Sequence, residues 1–209
     1  KKNLMQDRSG FIGHTEYLAE KDGSESLMIL MSKDLKVATI TTHIPISKVS
    51  KSLTRKKISE KITILHKSLR RDFNIKNPKI AVSSLNPHSG EEGSIGTEEV
   101  KTILPCINNL KKMGMKIDGP LPADTLFYKK SLNKFDARIC MYHDQALIPL
   151  KTLDFYGGIN YTAGLSFVRT SPDHGTAFNL AGKNKANPKS FIYAINQAFI
   201  ISKNRKINE

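Results

Sequence analysis

The segment KIAVSSLNPHSGEEGSIGTEEVKTILPCINNLKKMG, residues 79–114, decides the fold class. KIAVSSL is a short β-prone apolar run, NPHSGEEGSIG is a glycine-rich loop, and the following stretch opens with Thr97 and two glutamates, the capping pattern of a helix start. Strand, loop and helix in that order predict a layered α/β fold with functional loops at the strand ends. The theme recurs on both sides. Upstream, SLMILMS (26–32) and KVATITT (36–42) predict a β-hairpin. From Pro45 the chain turns helical, and SLTRKKISEKITILHKSLRRDF carries Leu53, Ile58, Ile62, Ile64, Leu65 and Leu69 as one apolar stripe. Downstream, FDARICMYHD predicts a further strand, and NPKSFIYAINQAFIISKNRK, from Asn187, an amphipathic C-terminal helix.

A chain of 209 residues with 39% hydrophobic content can fill a core. No run approaches the roughly 20 apolar residues of a membrane span, and the opening KKNLMQDRSG lacks the pattern of a secretory signal. The expectation is a cytoplasmic protein with no membrane partner. Cys106 and Cys140, without CxxC spacing, indicate neither a disulfide framework nor a cysteine metal site. The net charge of +14 invites a nucleic-acid partner, yet the lysines are scattered, aromatics make up 7%, and no RRM, KH, zinc-finger or basic-zipper pattern is present. The positive charge is better used in a pocket for a small phosphorylated ligand. There is no GxGxxG and no GxxxxGK[ST].

Three histidines fall at expected strand ends: His43 in TTHIP, His88 in LNPHSG and His143 in MYHDQ. Each alone is more often a structural residue; together they match a site of three neutral imidazoles around a borderline metal. His66 lies inside a charged helix, where a packing or solvated role is expected. Asp144 either orients a ligand or acts as a base beside His143, or it caps a loop. Asp124, in GPLPADTLF, is a turn former or a second carboxylate. Lys48, Lys151 and Arg169 offer charge for phosphate, and His14 and Thr15 form another glycine-flanked polar pair. The small residues around His174 in SPDHGTAFNLAGKNKANP suit either a flat ligand or a tight turn.

In order along the chain, GHTEYLAE, TTHIP, LNPHSGEEGSIGTEE, GPLPADTLF, YHDQALIPLK and GLSFVRTSPDHGTA resemble the motifs of the 4-hydroxythreonine-4-phosphate dehydrogenase (PdxA) family, from about Gly13 to Gly182. The resemblance implies an isocitrate/isopropylmalate dehydrogenase-like layered α/β fold and a homodimer. It also implies oxidation of 4-phosphooxy-L-threonine with NAD or NADP, then decarboxylation to 3-amino-2-oxopropyl phosphate, in pyridoxal 5'-phosphate (vitamin B6) biosynthesis. A divalent metal (zinc, magnesium or cobalt) is implied on His43, His88 and His143, shared so that His143 faces the partner subunit's His43 and the partner subunit's His88. The substrate residues implied are His14, Thr15, Lys151, Asn160 and Arg169. Those implied for the cofactor are His174, Gly175, Thr176, Ala177 and Asn187. Asp124 or Asp144 would be the base, with Lys151 assisting. Residues 1–165 are expected to form the metal- and substrate-binding, dimer-forming domain, and 166–209 to return to the cofactor-binding domain. The family carries a further α/β portion ahead of GHTE, with a GDPAGIGPE-like motif that nothing here matches, so the fold is expected to be incomplete at the N-terminus. Ala146, Glu92, Ser166, Pro172 and Asn179 depart from the family pattern. The alternatives are a paralogue oxidising threonate or erythronate 4-phosphate, and a truncated, non-catalytic metal-binding dimer module.

Overall fold

The computed structural model describes residues 14–208; Gly13, where the family motifs begin, lies outside them. Helix α1 (His14–Asp22) leads into β1 (Leu27–Met31), which pairs antiparallel with β2 (Lys36–Thr39) in the expected hairpin. The β1 run LMILM is buried throughout. Its alternating side chains explain this: Leu27, Ile29 and Met31 enter one core, Met28 and Leu30 another on the opposite face.

The helical stretch after Pro45 is broken. A 3-10 turn and α2 (Val49–Ser52) precede α3 (Arg55–Arg71), which begins where Thr54 Oγ1 accepts the Lys57 backbone N–H at 3.2 Å. Ile58, Ile62, Leu65 and Leu69 are all fully buried on its inner face, four of the six positions read from the sequence; Leu53 falls at the end of α2 and Ile64 is only partly buried.

After β3 (Lys79–Ser83) the structure corrects the sequence reading. The helical run begins directly after Thr97, whose carbonyl accepts the Lys101 N–H, but among the described residues no side chain caps it: a π-helical turn, Glu99–Ile103, starts from Glu98 and runs into α4 (Leu104–Lys112). The two glutamates hold the preceding loop instead. Buried Glu99 accepts the backbone N–H groups of Leu85 and Asn86 at 2.8 Å through Oε1, and Asn86 Nδ2 donates to both glutamates at 2.9 Å. The loop requires holding because His88, Ser89, Gly90, Glu91 and Glu92 all have positive φ. Such a left-handed run costs an L-residue about 1–2 kcal/mol per position.

The chain continues through β4 (Lys116–Leu121), α5 (Lys129–Leu132) and β5 (Ala137–Cys140). The strand expected in FDARICMYHD stops at Cys140, and MYHDQALIPLK turns into α6 (His143–Leu153). Then follow β6 (Ile159–Ala163), β7 (Thr170–Pro172) and α7 (Lys189–Asn208). The sheet order is β4-β3-β5-β2-β1-β6-β7, with β4, β3, β5 and β2 mutually parallel and the rest joined antiparallel. Helices cover both faces, so the fold is α/β with a mixed sheet.

Residues beyond 165 are tied to the same sheet, since β7 pairs with β6 and α7 packs on both. α7 is not amphipathic in the expected sense. Its buried positions are Ser190, Ala194, Ile201 and Arg205, whereas Phe191, Ile195 and Phe199 are exposed. Polar anchoring explains the orientation: Ser190 Oγ donates to the Gly158 carbonyl, Thr170 Oγ1 to the Ala194 carbonyl, and Arg205 to Asp72.

Candidate active site

Three neighbouring parallel strands, β2, β5 and β3, deliver His43, His143 and His88 from their C-terminal ends, where open α/β sheets bind ligands. The first two are locked in register beyond the strands. The Ile40 N–H donates to the Cys140 carbonyl, and Thr41 Oγ1 donates to the Met141 carbonyl at 2.7 Å. The imidazoles of His43 and His143 consequently lie 5.7 Å apart, centroid to centroid, in one chain. Gln145, unmarked in the sequence reading, ties α6 to the neighbouring strands. Its Oε1 accepts the Met141 N–H, and its Nε2 donates to the Ser84 carbonyl, each at 2.8 Å.

Both imidazoles have a carboxylate behind them. His143 Nδ1 is 2.8 Å from Asp144 Oδ1, and His43 Nδ1 is 3.6 Å from Glu16 Oε1. The His143 ring, hydrogen-bonded at Nδ1, thus keeps Nε2 for another partner, the arrangement that orients metal-binding histidines, whereas Glu16 approaches His43 as a charge only. Two imidazoles on one ion at metal–nitrogen distances of about 2.0 Å have centroids roughly 5 Å apart. At the observed 5.7 Å the pair is close to that spacing. His88 does not join it: it is exposed on the left-handed turn and does not line the same cavity. Among the described residues no three His, Cys, Asp or Glu side chains cluster to hold a metal.

The cavity beside the pair measures about 630 Å³. His14, Thr15, Asn160, Arg169, His174 and Gly175 line it together with both histidines. Arg169 Nη1 donates to Thr15 Oγ1 and Thr162 Oγ1 at 2.8 Å, and burial lowers its pKa, offset in part by the negative charge of Glu16. Among the described residues four side-chain oxygens on residues lining this cavity are buried without a hydrogen-bond partner, and since Asp173 Oδ2 is ion-paired with Lys151, three stay unmatched: Glu16 Oε2, Thr39 Oγ1 and Asn160 Oδ1. Leaving such a group unmatched costs about 1–3 kcal/mol. Glu16 and Thr39 carry no sequence signal for this, because burial without a partner is a tertiary property.

The remaining expected residues lie elsewhere. Lys151 is ion-paired with Asp173 at 2.9 Å; only Asp173 lines the cavity. Asp124 and Asp144 share a separate cleft of about 360 Å³ with exposed Ile148 and Leu153. Thr176, Ala177 and Asn187 do not line the main cavity, and Asn187 Oδ1 accepts the Lys189 N–H at the start of α7. Lys48 and His66 are also outside it, and burial lowers the His66 pKa.

Residues 1–198 match the family profile described as pyridoxal phosphate biosynthetic protein PdxA. The chain is 52% identical over 188 residues to 4-hydroxythreonine-4-phosphate dehydrogenase of Roseobacter denitrificans, covering 89% of this chain and 58% of the relative. It is 46% identical over 207 residues to the protein of that name from Sulfurihydrogenibium sp., covering 99% and 64%. The crystal structure of 4-hydroxythreonine-4-phosphate dehydrogenase from Klebsiella pneumoniae superposes with a TM-score of 0.85 at 40% identity, over 97% of this chain and 62% of that one. The chain spans about three fifths of the length of the curated relatives it matches.

Proposed function

The chain belongs to the PdxA family of pyridoxal phosphate biosynthetic proteins, and from that premise we propose that it carries the metal and substrate site of a cytoplasmic 4-phosphooxy-L-threonine dehydrogenase. The reaction is an NAD(P)-dependent oxidation followed by decarboxylation to 3-amino-2-oxopropyl phosphate, on the way to pyridoxal 5'-phosphate. The observation that carries this reading is one cavity holding two carboxylate-backed imidazoles, a half-buried arginine and three unmatched buried oxygens. The buried free thiols Cys106 and Cys140 suit a reducing compartment.

His43 and His143 of one chain would hold a zinc, magnesium or cobalt ion, with His88 of the partner subunit in a homodimer as the third ligand. That ion supplies the Lewis-acid charge that acidifies a substrate hydroxyl. The outward presentation of His88 on its left-handed turn supports this division of ligands. It pairs the histidines differently from an arrangement in which His143 faces both others across the dimer. His14, Thr15, Asn160 and Arg169 orient the substrate, Arg169 meeting phosphate or carboxylate with its fork of donors. Lys151 adds charge at the rim through its link to Asp173. Of the two candidate bases, Asp144 is the one tied to the cavity, through its hydrogen bond to His143. His174 and Gly175 line the cavity on the side assigned to NAD or NADP, with Thr176, Ala177 and Asn187 beyond.

Subunit mixing tests the assignment. Equal mixtures of His88→Ala and His143→Ala chains should regain roughly a quarter of wild-type metal, because half the dimers are mixed and each of those has one intact site. Mixtures of His43→Ala and His143→Ala should regain none. Recovery in the second mixture would overturn the division. Metal bound without turnover of 4-phosphooxy-L-threonine would leave a non-catalytic metal-binding dimer module.

A further inference from the structure

Donors and acceptors in the main cavity do not balance. Glu16, on the first turn of α1, has Oε2 buried without a donor among the described residues, and its Oε1 lies 3.6 Å from His43 Nδ1, beyond ordinary hydrogen-bond length. Asn160 Oδ1, on β6, is buried and unmatched as well. Among the described residues no cation donates a hydrogen bond to either oxygen, although Arg169 lies near enough to feel the Glu16 charge. Arg169 Nη1 is directed to the hydroxyls of Thr15 and Thr162, and Lys61 to Glu25 and the Ser26 carbonyl. A carboxylate oxygen can only accept, so its complement is an N–H or O–H group of the ligand, and the negative charge favours a cationic one. The same cavity presents Arg169 and Lys57 to an anion. A ligand carrying both a phosphate and an ammonium would satisfy both sets.

We infer that Glu16, aided by Asn160, binds a primary ammonium group of the ligand and so selects an amino-acid phosphate over its hydroxy analogue at this site. The inference rests on the reading given under Proposed function. Glu16 is a specificity-determining residue, in addition to any steadying of the His43 ring.

The test is calorimetric binding to the full chain, loaded with divalent metal, of 4-phosphooxy-L-threonine and of threonate 4-phosphate, in which a hydroxyl replaces the ammonium. Wild type should prefer the amino ligand by roughly tenfold or more, the scale of one charge-assisted hydrogen bond. Glu16→Gln, which keeps the volume and removes the charge, should abolish that preference by weakening the amino ligand alone, when variant and wild type are loaded to equal metal content by elemental analysis. Equal weakening of both ligands at equal metal loading would show Glu16 to be only a positioning residue for His43 and overturn the inference. Equal binding of both ligands by wild type would also overturn it while leaving the dehydrogenase reading intact. Failure of wild type to bind either ligand would sink that reading and this inference with it.

Discussion

The polar cluster around Asp72 and the one around Glu16 are built from similar groups to opposite ends. Asp72 is fully buried, yet its carboxylate accepts from Arg71 Nε and Arg205 Nε at 2.8 Å, Tyr161 Oη at 2.6 Å and Ser68 Oγ at 2.5 Å. Burial raises its pKa, but the hydrogen bonds from Arg71, Ser68 and Tyr161 and the Arg205 charge outweigh it, and the net shift is downward. Arg205 Nη2 donates to Tyr161 Oη, closing the network and clamping α7 onto α3 and β6. Around Glu16 the accounting stays open, with Oε2, Asn160 Oδ1 and Thr39 Oγ1 unmatched among the described residues. A cluster that completes its own hydrogen bonds holds a fold together, whereas one that leaves acceptors over is shaped for something from outside.

The sharpest way to break this contrast is to remove one member of the closed cluster. Asp72→Ala leaves Arg205 buried without its carboxylate and should cost about 3–5 kcal/mol in urea unfolding. Glu16→Gln in the same assay should stay within about 0.5 kcal/mol. Equal losses would mean that the open cluster is structural too.

Titration sharpens it next. Burial, followed by the neighbouring Asp72 charge, pushes the Tyr161 hydroxyl up to about 12 from an ordinary 10.0. A folded-state pKa above the unfolded value gives stability that is complete below pH 10 and is lost as pH rises toward 12. That loss amounts to about 3 kcal/mol for two pKa units. Tyr161→Phe should lack this component when unfolding is followed between pH 9 and 12. Asp72 has the opposite sign: its contribution is present above the ordinary carboxylate range and is lost as pH falls through its lowered pKa.

Smaller effects are expected at the open cluster. Asp144→Asn should weaken metal binding by roughly 10–100-fold in a chelator competition, the usual consequence of losing a ligand's hydrogen-bonded support. Unfolding should be unchanged. Asn160→Leu removes an unmatched polar group and should raise ligand-free stability by up to about 1 kcal/mol, read as a thermal shift, while weakening substrate binding.

Local pattern alone determined much of this protein. The 3.6-residue stripe Ile58, Ile62, Leu65 and Leu69 and the apolar runs of β1, β3 and β5 were legible because hydrophobic periodicity is set by neighbours in the chain. The histidines were legible as residue types at strand ends. Their convergence was not, because it depends on strand order. β2 next to β5 brings His43 to His143, while the left-handed turn after β3 carries His88 out of their cavity. Glu99 rather than Thr97 is the organising side chain, because its buried carboxylate accepts the Leu85 and Asn86 backbone N–H groups just ahead of the turn. The same limit hid Glu16, Thr39 and Asn160 as unmatched acceptors. A sequence specifies which polar atoms exist; only the packed structure decides which of them are left without a partner.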